Sequence, residues 1–172
     1  GLLLVLLGDA TRLSSLAMAL PKEYEATVRF GVGTDTLDPT GAATASADPG
    51  PAPPPNLAAA TASFLGEIEQ VPPAFSALKV GGRRAYRLAR QGEAPALAPR
   101  RVRIDRIVIL GTAWPDVRLS VTCGAGTYLR AIARDLGQAI GLPAHLTALR
   151  RTRIGPFVAG ADHGLRPPRD LT

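Results

Sequence analysis

Hydrophobic and polar positions change rhythm several times along this chain, and each change marks an element. The sharpest switch lies in the C-terminal half. Val117-Arg118-Leu119-Ser120-Val121-Thr122-Cys123 alternates apolar with polar, the period of a half-buried strand. Gly124-Ala125-Gly126 breaks that rhythm. Leu129, Ile132, Ala133, Leu136 and Ile140 then recur at helical spacing until Gly141 and Pro143 close the segment. The pattern predicts strand, glycine turn, helix.

Elsewhere the signals are shorter. Gly1 to Gly8 is a continuous apolar run that predicts a strand buried on both faces, and a chain opening on it without methionine reads as cut from something longer. Asp9-Ala10-Thr11 offers capping side chains to a helix carrying Leu13, Leu16, Ala17 and Leu20, which Pro21 ends. Lys22 to Phe30 alternates cleanly, with Tyr24, Ala26, Val28 and Phe30 on one face. Thr34 to Gly41 is a polar turn, and residues 42–55, rich in proline, predict a mobile connector. Asn56 is placed to cap a helix from Leu57 to Leu65, stopped by Gly66. Arg83 to Gly92 predicts a short basic helix closed by Gly92, with Gly81-Gly82 ahead of it to let the arm swing. Arg101 to Leu110 predicts a strand, half-exposed and then buried, paired with Val117 to Cys123 across Trp114-Pro115-Asp116. His145 to Phe157 is a mixed last segment, and a short turn-like tail follows Gly164. Strands and helices without a regular βαβ rhythm make an α+β fold.

Length and charge narrow the class. The chain of 172 residues fits one domain with a real core. Its net charge of +6 is unevenly spread: Lys79 to Arg106 holds nine basic and two acidic residues, so the remainder is close to neutral. A second cluster is Arg150, Arg151 and Arg153. Localised positive charge is the footprint of a polyanionic partner; the competing reading is a solvated charged face. One cysteine excludes internal disulfides, and His145, His163 and Cys123 have no metal-ligand spacing. No metal is expected. The Leu2 to Leu7 run is too short for a membrane span or a signal-peptide core, which leaves the cytoplasm as the expected compartment. Neither GxGxxG nor GxxxxGK[ST] occurs, so nothing supports a nucleotide cofactor.

Candidate chemistry gathers at the glycine turn. If Thr127 to Arg130 are still extended, alternation buries Leu129 and sets Tyr128 beside Arg130 on the opposite side. An aromatic next to a guanidinium suits a planar or anionic ligand. The competing reading has Tyr128 packed and Arg130 solvated in the first helical turn.

Several segments, in order, resemble the TruB-type tRNA pseudouridine synthases. They are Gly1 to Ser14; Lys22-x-Tyr24 with its strand and Thr34-Asp35-Thr36; Gln70-Val71-Pro72-Pro73-Ala74-Phe75-Ser76-Ala77-Leu78-Lys79; Cys123-x-x-Gly126-Thr127-Tyr128-Leu129-Arg130 with Asp135-Leu136-Gly137; and His145-Leu146-x-x-Leu149-Arg150-Arg151. The match covers residues 1–157. The resemblance implies a partial pseudouridine synthase catalytic domain over 1–160, a mostly antiparallel mixed sheet flanked by helices, with a basic RNA-gripping arm at 71–92 and a tail at 161–172. It implies that a uridine at tRNA position 55 is flipped out of the T-loop and its base reattached through carbon. Tyr24 would stack on the base, Arg130 would pair with the catalytic aspartate, Leu149 would wall the pocket, and Tyr128 would support the same site. Arg12, Lys22, Lys79, Arg83, Arg84, Arg150 and Arg151 would hold phosphates. The partner is the T-arm of tRNA; no cofactor, metal or membrane is implied, and a monomer is expected.

The resemblance also implies a departure. The family's nucleophilic aspartate sits in a Gly-x-Leu-Asp-Pro loop just ahead of the segment Gly1 begins, so the reactive carboxylate is expected to be missing and the chain alone inactive. Leu37-Asp38-Pro39 repeats the tripeptide, but Asp38 lies downstream of the tyrosine motif and reads as a turn residue rather than a substitute nucleophile. The alternative functions are a catalytically inactive tRNA-binding or remodelling module, and a basic structural protein of a ribonucleoprotein.

Overall fold

A computed structural model of the chain describes residues 1–93 and 95–160; the tail expected at 161–172 lies outside the described residues. A 3-10 helix (Gly8–Leu13) runs into α1 (Ser14–Ala19), then β1 (Lys22–Phe30), β2 (Val32–Thr34) and β3 (Ala43–Ser46). Next come α2 (Leu57–Ala62), β4 (Gly66–Gln70), β5 (Lys79–Val80), β6 (Arg83–Arg84) and α3 (Ala85–Arg90). The C-terminal half holds β7 (Arg100–Ala113), β8 (Asp116–Cys123), α4 (Leu129–Ala139), β9 (Ala144–Ile154) and β10 (Phe157–Val158). Six strands form one sheet in the order β10-β9-β1-β8-β7-β4, and β2-β3 and β5-β6 form two small hairpin-like pairs. Every pairing is antiparallel, so the α+β expectation holds.

The core follows from the alternation. In β1 against β8 the register sets Ala26 opposite Leu119 and Val28 opposite Val117, all on one face. Helix α4 lays Leu129, Ile132, Ala133 and Leu136 on that face, and Ile104, Ile107 and Leu146 extend it sideways. Each fully buried Leu, Ile or Phe here contributes about 1.5–3 kcal/mol. The opposite face is polar. There the cross-strand ion pairs Glu23–Arg153 and Arg29–Asp116 accompany Glu25–Arg118, so part of the positive charge is spent within the sheet.

Several expectations need correction. Gly1 to Gly8 is not a strand buried on both faces: Leu3, Val5 and Leu7 are exposed, while Leu2, Leu4 and Leu6 are sheltered. One rung ties it to β9, with the Leu2 N–H donating to the Arg151 carbonyl at 2.8 Å. Leu13 and Leu16 are likewise exposed, and neither Asp9 nor Asn56 caps the helix it precedes. Helix α2 stops at Ala62, three residues short, where Phe64 and Leu65 turn back onto Thr61 and Ala62. The second half of β7 is no more buried than the first, because bulges after Ile104 and Ile109 rotate its faces and leave Leu110 outside. Strands β4 and β9 were not anticipated. Arg150-Arg151-Thr152-Arg153 masks the period of β9, and β4 is five residues long.

The connector is held at several points rather than loose throughout. Ala43–Ser46 pairs with β2, and the Ala47 N–H donates to the Gly31 carbonyl at 2.8 Å. Trp114 stacks on Phe30 with centroids 5.3 Å apart, and its Nε1–H reaches the Pro49 and Gly50 carbonyls at 3.2 and 3.0 Å.

Gly137 decides how closely α4 meets β9. A Cβ there would lie 2.5 Å from the Leu142 carbonyl oxygen and 2.7 Å from the Ala144 Cβ. Helix propensity favours Ala over Gly by roughly 1 kcal/mol, but overpacking against backbone costs about 1–3 kcal/mol. Gly137→Ala is therefore expected to lower the urea midpoint with an unchanged m-value; a raised midpoint would mean that α4 can shift freely away from β9.

Candidate functional site

Three segments distant in sequence meet at one guanidinium. Tyr128 is extended, α4 starts at Leu129, and burial of Leu129 points Arg130 away from the core in the first turn. Arg130 Nη1–H donates to the Thr36 carbonyl at 2.9 Å and to Asp38 Oδ2 at 3.1 Å, while Nη2–H donates to the Phe75 carbonyl at 2.8 Å. The planar fork of arginine allows this by presenting two nitrogens in fixed directions; a lysine would have to reach all three acceptors from a single nitrogen. Arg130 and Asp38 are each about a quarter exposed, 24% and 26%.

Asp38 is a turn residue, as expected, but its carboxylate is not idle. Oδ1 accepts the Thr36 hydroxyl at 2.7 Å, the Thr40 hydroxyl at 2.6 Å and the Thr40 backbone N–H at 3.1 Å. Burial pushes its pKa up, but these hydrogen bonds and the Arg130 guanidinium outweigh burial and hold the group below the usual carboxylate range. The carboxylate stays ionised and aimed.

Two cavities share the Asp38–Arg130 pair as a wall. One, of about 210 Å³, is completed by Pro39 and by Leu146 to Leu149 of β9. The other, of about 380 Å³, adds Thr36, Thr40, Phe75, Tyr86 and Arg90, whose guanidinium lies 5.7 Å from the Tyr86 ring centroid. An apolar side facing an ion pair offers a flat polar molecule a surface for its face and partners for its edge.

The expected residues fall into three groups. Arg130 and Leu149 line one cavity, joined by Asp38. Tyr24 does not line it, but sits on the same sheet: Ala26 pairs with Leu149, and Tyr24 pairs with Arg151. Burial raises the Tyr24 phenol, and the neighbouring Arg151 guanidinium draws it partly back. Tyr128 does not line it either. Its main chain is clamped by the buried Gln70, whose Nε2–H donates to the Tyr128 carbonyl at 3.2 Å while Oε1 accepts the Tyr128 N–H at 2.9 Å.

The basic residues divide likewise. Lys22 and Arg151 border a separate cavity of about 450 Å³ beside Leu3, Leu4 and Met18. Burial and the like charge of Arg151 lower the Lys22 ammonium, which donates to the Met18 carbonyl. Arg12 is exposed on the 3-10 helix, and Arg150 is exposed on β9 opposite Glu25. Lys79, Arg83 and Arg84 are exposed on the β5-β6 pair, where Arg83 faces Glu93 at 3.3 Å and Arg84 donates to the Ala77 carbonyl at 2.5 Å. Such exposed pairs are weak and leave the charge available. Gln70, Thr36 and Thr40 were missed as site residues. Only Gln70 left a signal, as a polar residue two positions after Ile68 on the inward face of an alternating stretch.

Among the described residues no group of His, Cys, Asp and Glu could hold a metal ion, and no helix is long and apolar enough to cross a membrane.

Comparison with known proteins gives concordant matches. Residues 1–129 match the model of the TruB family pseudouridylate synthase N-terminal domain, and residues 130–165 match that of the tRNA pseudouridylate synthase B C-terminal domain. The chain is 47% identical over 161 residues to tRNA pseudouridine synthase B of Mycobacterium sp. strain KMS, covering 91% of this chain and 54% of the relative. It is 48% identical over 157 residues to the protein of that name from Aromatoleum aromaticum, covering 91% and 51%. A solved Cbf5-Nop10-Gar1 complex contains a similar chain, with TM-score 0.62, 28% identity, and coverage of 89% of this chain and 36% of that one.

Because the folded-state pKa of Asp38 is depressed, its contribution to stability is complete above the ordinary aspartate value, about 3.9. It is lost as the pH falls through that value and on through the lower folded one. Asp38→Asn should destabilise the chain by about 1–3 kcal/mol at neutral pH. Melting temperatures of the two proteins should converge as the pH falls below about 4; a gap that stays constant down to the acid limit would mean that the Asp38 charge is not what matters.

Proposed function

Since the chain belongs to the TruB family of pseudouridine synthases, we propose that its site serves the isomerisation of uridine 55 to pseudouridine in the T-loop of tRNA. The chain spans about half the length of the curated relatives it matches. The observation that carries the reading is the small cavity in which Arg130, Asp38 and Leu149 meet, tied through the Phe75 carbonyl to the root of a basic arm.

In this reading the uridine leaves its stack and enters that cavity. Leu149 supplies the apolar wall that excludes water and Tyr128 braces the start of α4. Tyr24, outside the cavity lining but opposite Arg151 on the same sheet, takes the stacking role the family resemblance assigns to it where the base reaches past Leu149. The isomerisation breaks the sugar C1′–N1 bond and forms C1′–C5; C5 then gives up its proton, and N1 ends with one. No atom is gained or lost, and the reaction itself calls for no oxidant, reductant or group donor. Its reactive carboxylate belongs to the Gly-x-Leu-Asp-Pro loop that the family carries ahead of the segment Gly1 begins. Gly1 supports that entry route, since it lies against the β9 backbone at Arg150 and Arg151, two residues from Leu149. Arg130 then faces two carboxylates: it is oriented by Asp38 and aims the nucleophile. Arg12, Lys22, Lys79, Arg83, Arg84, Arg150 and Arg151 hold phosphates without reading sequence. The reading includes a cytoplasmic monomer acting on free tRNA.

A second reading, a tRNA-binding module without chemistry, is favoured by one observation. Asp38 is the carboxylate lining both cavities, and it is fully engaged by Thr36, Thr40 and Arg130.

A T-arm stem-loop assay separates the two, with binding and pseudouridine formation followed in the same tubes. We expect the 172-residue chain to bind without converting, and a chain extended by the Gly-x-Leu-Asp-Pro loop to convert. In the extended chain Arg130→Lys should lower kcat by about 10²-fold, the cost of a misplaced reacting group. Lys79→Ala should weaken binding and flatten the slope of log K against log salt by about 0.7–0.9. Binding without conversion by the extended chain favours the module. Conversion by the 172-residue chain would instead make Asp38 the candidate nucleophile and overturn the assignment given to it here.

A further inference from the structure

Among the described residues, Leu37 is the non-glycine residue with positive φ, at +61°. That conformation costs a leucine about 1–2 kcal/mol, because its Cβ crowds the following carbonyl. Strain of this kind persists only where the surroundings over-determine it. Here they do. The Leu37 N–H donates to the Thr34 carbonyl at 3.1 Å, and the Leu37 carbonyl accepts the Leu146 N–H of β9 at 3.1 Å. The half-buried side chain lines a cavity of about 410 Å³ behind the loop, with Leu142, Pro143 and Ala144. One residue further on, the Asp38 carbonyl accepts the Thr34 hydroxyl at 2.8 Å.

We propose that Leu37 is a positioning residue: its left-handed turn, pinned to β9, sets the direction in which the Asp38 carboxylate meets Arg130. The proposal rests on the reading of that pair as part of the uridine site. The geometry favours it over a plain chain reversal. Leu146, whose N–H donates the anchoring bond, itself lines the Asp38–Arg130 cavity beside Leu149. The turn thus fixes the carboxylate and the apolar wall relative to one another through a single hydrogen bond. A chain reversal alone could run through right-handed turns open to leucine without strain.

The test follows the Asp38 carboxyl by NMR titration in the 172-residue chain, with melting temperature measured on the same samples. The variants are Leu37→Asn, which tolerates the left-handed region, Leu37→Val, whose branched Cβ resists it more than leucine does, and Leu37→Ala, which keeps the Cβ but loses the side chain lining the cavity behind the loop. Leu37→Asn should leave the titration of Asp38 depressed as in the parent. Leu37→Val should raise it toward the ordinary carboxylate range, and Leu37→Ala should raise it less. If Leu37→Val does not fold, Leu37→Ala carries the comparison. Lower melting temperatures for Val and Ala with an unmoved Asp38 titration would reduce Leu37 to a structural residue and overturn the proposal. An equal rise in Leu37→Asn would do so as well. No RNA is present, so failure here and failure of the uridine reading are separate results.

Discussion

One guanidinium bears most of the organisation of this molecule. Arg130 donates to the main chain of residue 36, to the carboxylate of residue 38 and to the main chain of residue 75. It can do so only because α4 begins where it does. Leu129, just before it, is anchored in the core, and the main chain of Tyr128, one residue earlier, is gripped by Gln70. Shifting the helix start by one residue would turn the guanidinium by about 100° around the axis and lose all three partners. The sheet, the glycine turn and the buried amide serve to hold that start in place. The charge of Asp38 then completes the arrangement, since hydroxyls, an amide and the guanidinium together overcome the cost of partial burial.

Much of the scaffold was legible because its periods are strict. Val117 to Cys123 and Tyr24 to Phe30 alternate without error, and Leu129, Ile132, Ala133 and Leu136 keep helical spacing, so β8, β1 and α4 were read with their inward faces correct. Where two signals compete, the reading failed. The leucine run at the start carries no polar partner to mark a face, so one-sided shelter was read as two-sided burial. In β9 a row of arginines on one strand conceals the inward residues Leu146 and Ile154.

The site was legible in a different way. Nothing in the local sequence links Asp38 to Arg130, which stand 92 residues apart, and no periodicity can report such a pair. The family resemblance gave Arg130 a carboxylate partner but pointed to one ahead of Gly1, and Asp38 was read as a turn residue. Its turn is real; its engagement emerges only once β9 and α4 bring the loop against the helix. Gln70 was half-hidden: its place in an alternating stretch marks it as inward-facing, but its grip on the Tyr128 main chain shows only in the fold.

The arm is fastened by its main chain. Arg130 takes the carbonyl of Phe75, and Arg134 takes that of Val71 at 2.9 Å. Carbonyl oxygens are the same whatever side chain their residue bears, so these two bonds make no demand on the side chains of Phe75 and Val71, while Pro72, Pro73 and Ser76 between and beside them are buried and do constrain the root. Recognition and anchoring are therefore separate variables. The exposed Lys79, Arg83 and Arg84 of the β5-β6 pair take no part in these two bonds, so that charged face can change while the two carbonyls stay seated on α4.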